Sequence, residues 1–142
     1  MTPLNIALIC VFLQVALTFW AIVRIGHVRV VSLKSKAVSL GDIALDTRNY
    51  PDSVKQFQNN ATNQFETPVL LYAVVAFAAA TQSANWGVAI GAVIFVISRF
   101  RHRMIHVGSN HLIKRFRIYT IGLGGLLICW VSLGLGLLGL FG

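Results

Sequence analysis

The sequence predicts an all-α integral membrane protein built as a four-helix bundle. Three observations predict it. Of 142 residues, 56% are hydrophobic and 11% are charged, where soluble chains carry roughly 25% charged residues. Four apolar runs stand out, at about residues 4–23, 67–82, 86–98 and 118–141. All twelve Lys and Arg residues fall in only two of the segments beside those runs.

The first run has no basic leader and is long enough to span, so it reads as a membrane helix rather than a cleavable signal. Its helix is expected over about residues 4–30. The second and third runs fall short of the ~20 residues that a span needs. Their helices are therefore expected to continue into polar flanks, over about 54–82 and 85–107. Pro51 in "RNYPDS" breaks helix, and Asp52 or Ser53 can cap the helix that follows. In that register Asn59, Asn63 and Glu66 share one face of the second helix. "GSN" at 108–110 reads as a turn, with Ser109 or Asn110 capping a fourth helix over about 111–140. Residues 1–142 thus form a single membrane domain.

The basic residues set an orientation. Arg24, Arg29, Lys34, Lys36, Arg48 and Lys55 lie between the first two runs. Arg99, Arg101, Arg103, Lys114, Arg115 and Arg117 lie between the last two. The positive-inside rule puts both basic segments in the cytoplasm and both termini on the other side. Whether the membrane is a plasma or inner membrane or the endoplasmic reticulum is not written in the topology. The net charge of +8 is accounted for by lipid headgroups and topology, so nucleic acid is not expected as a partner. Cys10 and Cys129 sit inside apolar runs and read as packing residues. Gly87 and Gly91 stand at GxxxG spacing, and the fourth run holds Gly122, Gly124, Gly125, Gly134, Gly136 and Gly139. Small residues let membrane helices approach closely. The contact is either within one bundle or between subunits, with at least one intersubunit face favoured.

Two polar clusters carry the chemistry. In "NNATNQFETPVLLYAVV" the lone acid Glu66 stands at the mouth of an apolar run, three residues after Asn63. In "SRFRHRMIHVGSNHLIKRFR", Arg99, His102 and His106 stand at i, i+3 and i+7 and share a face. Arg101 and Arg103 are expected to point elsewhere and, with Lys114 and Arg117, to act as topogenic charges. A metal held by His102 and His106 would lack a third ligand and face surrounding arginines, so no metal is expected. A basic, His-containing face near a carboxylate suits an anionic small molecule instead.

These residues resemble the MAPEG family, the membrane-associated proteins of eicosanoid and glutathione metabolism. "NQFE", Asn63 to Glu66, looks like its Asn-x-x-Glu motif. "RFRHRMIH" followed by Arg115 resembles the prostaglandin E synthase branch. "GHVRVVSLKSKA" looks like that family's exit from the first helix, with Arg29 at the position of a basic ligand. The resemblance implies a homotrimer of four-helix bundles. It implies glutathione as cosubstrate, in clefts between subunits at the cytoplasmic end. It also implies attack of the glutathione thiolate on a lipophilic electrophile or peroxide. Arg29 and Arg115 would meet the glutathione carboxylates, Glu66 its ammonium, and Arg115 would stabilise the thiolate. Asn63, Arg99, His102 and His106 would complete the binding set. Three positions depart from that branch: Thr62 replaces an arginine, His106 a tyrosine and Phe116 a serine.

Other readings remain open on the residues. Glu66 can form a salt bridge that ties helices together. The chain can be a non-enzymatic membrane interaction protein that keeps this fold. A small multidrug exporter needs an acid buried within a span, and Glu66 stands at a span's end.

Overall fold

In the computed structural model, which describes residues 1–140, the chain is all-α, with six α-helices and no strand among the described residues. The last residue of the fourth apolar run, Phe141, lies outside them. Helix α1 covers Pro3–Lys34. Thr2 caps it by accepting from the Asn5 N–H, and Pro3 occupies its first turn, where a missing N–H costs nothing. At 1.5 Å per residue α1 is ~48 Å long. A short helix α2, Leu40–Ile43, follows, with a reciprocal capping box between Ser39 and Asp42. The 3-10 turn Thr47–Asn49 leads to α3, Asp52–Thr62. Hydrogen bonds from Ser39 hold the Asp42 carboxyl below the usual carboxylate range, and Arg48 does the same for Asp46. Helices α4, Pro68–Ala80, α5, Trp86–Val107, and α6, Leu112–Leu137, complete the chain.

The second predicted helix, 54–82, is not continuous. It is interrupted at residues 63–67, between α3 and α4. The cause is Pro68. Its nitrogen cannot donate to the Gln64 carbonyl, and its ring crowds that carbonyl. The backbone tightens instead into three-residue turns, Gln64 N–H to Ala61 O at 3.0 Å and Phe65 N–H to Thr62 O at 2.9 Å. The predicted face of Asn59, Asn63 and Glu66 is thereby broken up. Asn59 is exposed, and its neighbour Asn60 is buried. The cap positions also differ. Pro51 precedes α3 and no side chain caps it. His111 caps α6, because Asn110 takes a left-handed φ of 50° in the turn.

Two apolar clusters hold the helices together. One joins Ala7 and Cys10 of α1 to Leu71 and Val75 of α4, Phe95 of α5 and Cys129 of α6. The other joins Ala21 and Ile25 of α1 to Val54 and Ala61 of α3 and to Tyr50 before it. On α1, Gln14 lies between the two. Cys10 and Cys129 are buried and unbridged.

Helices α1 and α6 are long and apolar enough to cross a membrane, and only 28% and 33% of their most apolar stretches are buried within the chain. Phe12, Phe19, Ile97, Leu127 and Val131 all face outward. A monomer in water does not leave so much contiguous apolar surface uncovered; a bilayer covers it. The 13-residue α4 is apolar but short.

The glycines divide by face. A Cβ on Gly91 would stand 2.5 Å from the Gly125 carbonyl oxygen, and one on Gly125 2.7 Å from that of Gly91. Gly87 and Gly122 meet Ser132 and Ser98 in the same way. This set therefore packs α5 against α6 within one chain. Asn85 Nδ2–H, donating to Ser132 O at 2.9 Å, locks the same pair. Gly124, Gly134 and Gly139 of the fourth run have open space around them and take no part in this packing. Gly91→Ala is expected to destabilise the detergent-solubilised protein by about 2 kcal/mol, the scale of core overpacking. Gly124→Ala is expected to change it by less than about 0.5 kcal/mol. Thermal unfolding of the two variants side by side checks this.

Candidate functional site

One face of α5 is polar and buried. Arg99, His102, Arg103 and His106 follow one another at helical spacing, and all four are closed off from solvent. Arg101 is exposed. The expectation that Arg103 points outward as a topogenic charge is thus corrected: it is 2% exposed, the same as Arg99. At four residues from Arg99 it shares that residue's face.

The protein solvates each buried cation in part, and Arg99 Nε and Nη1 and Arg103 Nε have no partner. Arg103 donates through Nη1 to Asn60 Oδ1. Its guanidinium lies 4.2 Å from the centroid of the Trp20 ring, a cation–π contact. Asn60 is in turn reached through its carbonyl by Gln64 Nε2, at 3.2 Å. Gln14 Nε2 donates to Gln64 Oε1 at 3.1 Å. The chain Gln14–Gln64–Asn60–Arg103 therefore crosses from α1 to α5. Arg99 donates through Nη2 to the Asn63 carbonyl at 2.5 Å. In an unbroken helix that carbonyl would accept from the Thr67 N–H. The interruption before Pro68 releases it for the guanidinium. His106 Nδ1 lies 3.4 Å from Asn63 Nδ2. Gln56 donates to the His106 carbonyl at the end of α5.

Beside this layer opens a cleft of 210 Å³, lined by Asn63, Glu66, His102, Arg115, Phe116 and Tyr119, with Leu112. Four residues expected from sequence meet here: Asn63, Glu66, His102 and Arg115. Arg99 and His106 do not line it; they are tied to Asn63 from behind. Arg29 is elsewhere in the chain, donating to Gln58 Oε1 at 3.0 Å and lying 5.5 Å from the Tyr50 ring. Glu66 is exposed and makes no ion pair among the described residues. The salt bridge considered from sequence is thus not formed within the chain. Arg115 Nη1 donates to Asn110 Oδ1 at 2.6 Å, while its Nε and His102 Nδ1 are buried without partners. Tyr119 escaped notice in the sequence. Its spacing of four from Arg115 carried the signal, and its ring is 6.0 Å from that of His102. Among the described residues no cluster of three or more His, Cys, Asp or Glu is arranged around a metal.

A helical membrane protein with two buried arginines beside a small cleft of mixed charged and apolar lining is the class that fold and site define. The chain belongs to the MAPEG family, which it matches over residues 7–135. No curated protein and no solved structure matched it.

Asn60→Ala is expected to cost about 2 kcal/mol, because it strips a hydrogen bond from a charge that stays buried. Arg103→Met, which removes the charge and keeps the volume, is expected to cost less. Denaturation of both variants in detergent ranks them, and the reverse order would contradict this reading of the network.

Proposed function

We propose that the protein is a membrane-embedded, glutathione-dependent transferase or peroxidase acting on a lipophilic electrophile. Membership of the MAPEG family suggests glutathione-linked chemistry. The observation that carries the reading is the composition of the cleft. It pairs a free carboxylate, Glu66, with a guanidinium, Arg115, across a small space walled by Leu112 and Phe116. Glutathione presents two carboxylates and an ammonium, which such a pair complements.

In this reading Glu66 holds the ammonium and Arg115 faces the thiol. A cation beside a thiol lowers its pKa from ~8.5 and favours the thiolate. The partnerless Arg115 Nε and His102 Nδ1 are the groups free to meet the ligand. The thiolate then attacks the electrophile: its electron pair forms a carbon–sulfur bond as the leaving group departs with the old bonding pair, or a sulfur–oxygen bond as the peroxide O–O bond breaks and the departing oxygen leaves as an alkoxide that takes up a proton. An apolar substrate would arrive through the lipid.

The size of the cleft favours assembly. Its 210 Å³ falls below the ~300 Å³ at which small-molecule pockets begin. A homotrimer of four-helix bundles, with the site between neighbours, would enlarge it. Arg29, which lies apart from the cleft of its own chain, would then be supplied by a neighbouring copy. Both basic segments, and hence the cleft, lie on the cytoplasmic side by the positive-inside rule, with the termini opposite.

The second reading is a non-enzymatic membrane interaction protein. It is favoured by Phe116, an apolar side chain that lines the cleft where the resembled branch has a serine.

Reduced glutathione, titrated into the purified protein, is expected to raise Tm saturably and to give a thiolate absorbance in the ultraviolet. Glu66→Ala is expected to weaken binding about tenfold or more, the scale of a lost charge-assisted hydrogen bond. Arg115→Ala is expected to abolish the thiolate signal. No stabilisation at millimolar glutathione would sink the enzyme reading in favour of the second.

A further inference from the structure

A second and larger cleft, of 430 Å³, is enclosed by the last turns of α1, the start of α3 and the loop joining them. It shares no lining residue with the first. Arg24, His27 and Ser32 line it from α1, and Ser53 from α3, against walls that include Val31 and Phe57. The cleft bears the marks of an anion site. The guanidinium of Arg24 lies 5.5 Å from the Phe57 ring, so a cation is held in the wall. Arg24 has no carboxylate partner among the described residues. Ser32 is 6% exposed, and its hydroxyl has no hydrogen-bond partner. A buried hydroxyl without a partner is costly unless something fills the site. The N-terminus of α3 borders the same space, and no side chain caps it. Its free N–H groups and its dipole favour a negative group. The nearby acid, Asp52, is turned to Lys55 at 3.1 Å and does not line the cleft.

Depth in the membrane points to the source of the anion. Residues 4–23 of α1 fill the ~30 Å of a bilayer's hydrocarbon core. Arg24 and His27 follow within the next turn, at headgroup level. We propose that this cleft binds a phosphate ester, with Arg24, His27, Ser32 and the α3 N-terminus on the phosphate side and Phe57 against its apolar part. An anionic phospholipid of the surrounding leaflet supplies that chemistry.

The test follows thermal unfolding of the full chain in an uncharged detergent with three probes: phosphatidylglycerol, a diacylglycerol with the same acyl chains, and inorganic phosphate. Phosphatidylglycerol is expected to raise Tm saturably, and the diacylglycerol is not. Arg24→Gln is expected to raise the half-saturating concentration about tenfold and Ser32→Ala about fivefold, the scale of a charged and a neutral hydrogen bond. Lys34→Gln, exposed and outside the cleft, is expected to leave it unchanged. Should Arg24→Gln fail to fold, Arg24→Lys keeps the charge and is expected to retain binding. Saturation by inorganic phosphate, lost in the same variants, would keep the site and assign it to soluble phosphate esters. Equal responses to phosphatidylglycerol and diacylglycerol would overturn it. So would an equal loss in Lys34→Gln and Arg24→Gln, or cross-linking of cleft residues between two copies. None of these outcomes depends on glutathione, so this proposal and the preceding one fail separately.

Discussion

Two guanidinium groups buried without a carboxylate are the constraint on which the rest of the structure depends. Moving such a charge out of water is costly unless polar groups replace its hydration. Around Arg99 and Arg103 the replacement is partial, and it comes from three places. Asn60 supplies a side-chain oxygen, Asn63 a backbone carbonyl and Trp20 an aromatic face. They are drawn from α3, from the turn after it and from α1. The arginines therefore fix where α1 and α3 stand against α5, more specifically than the apolar clusters on either side can. Apolar contact is tolerant of a sliding helix, whereas these polar contacts each have one register.

The helix interruption before Pro68 belongs to the same constraint. A continuous helix keeps its carbonyls for itself. Breaking it releases the Asn63 carbonyl for Arg99 and leaves Asn63 and Glu66 on an irregular turn at the rim of the cleft. The residues of the candidate site are thus held by a segment whose shape is set by an imino acid on one side and a guanidinium on the other. The paired α5 and α6, close-packed through Gly91 and Gly125, form the stiff wall against which that turn is positioned.

Much of this was legible in the sequence, and the failures are physical ones. Composition and the placement of basic residues marked a membrane protein, and short motifs in order marked the family. Helical spacing grouped Arg99, His102 and His106. The same spacing should have included Arg103, but a basic residue at a membrane edge reads first as a topological signal. Pro68 was visible, yet it opens an apolar run, and the run suggested continuity. Gln14, Asn60 and Gln64 had no signal. A polar residue in an apolar stretch announces that it needs a partner and not which one. Arg29 reads as a site residue by motif and lies apart from the cleft, because motif order carries no distance.

The buried polar face of α5 bears on how the chain enters its membrane. Helices such as α1 and α6 partition on their own apolar character. Helix α5 carries three arginines, two of them buried, and hydrocarbon resists an arginine at a helix centre by roughly 2.5–3.5 kcal/mol. For α5 that resistance is relieved by oxygens that sit on Asn60 and Asn63, and both precede it in the chain. Those oxygens therefore leave the ribosome before α5 does. In chain order, the segment that carries the buried charges thus follows the residues that meet them.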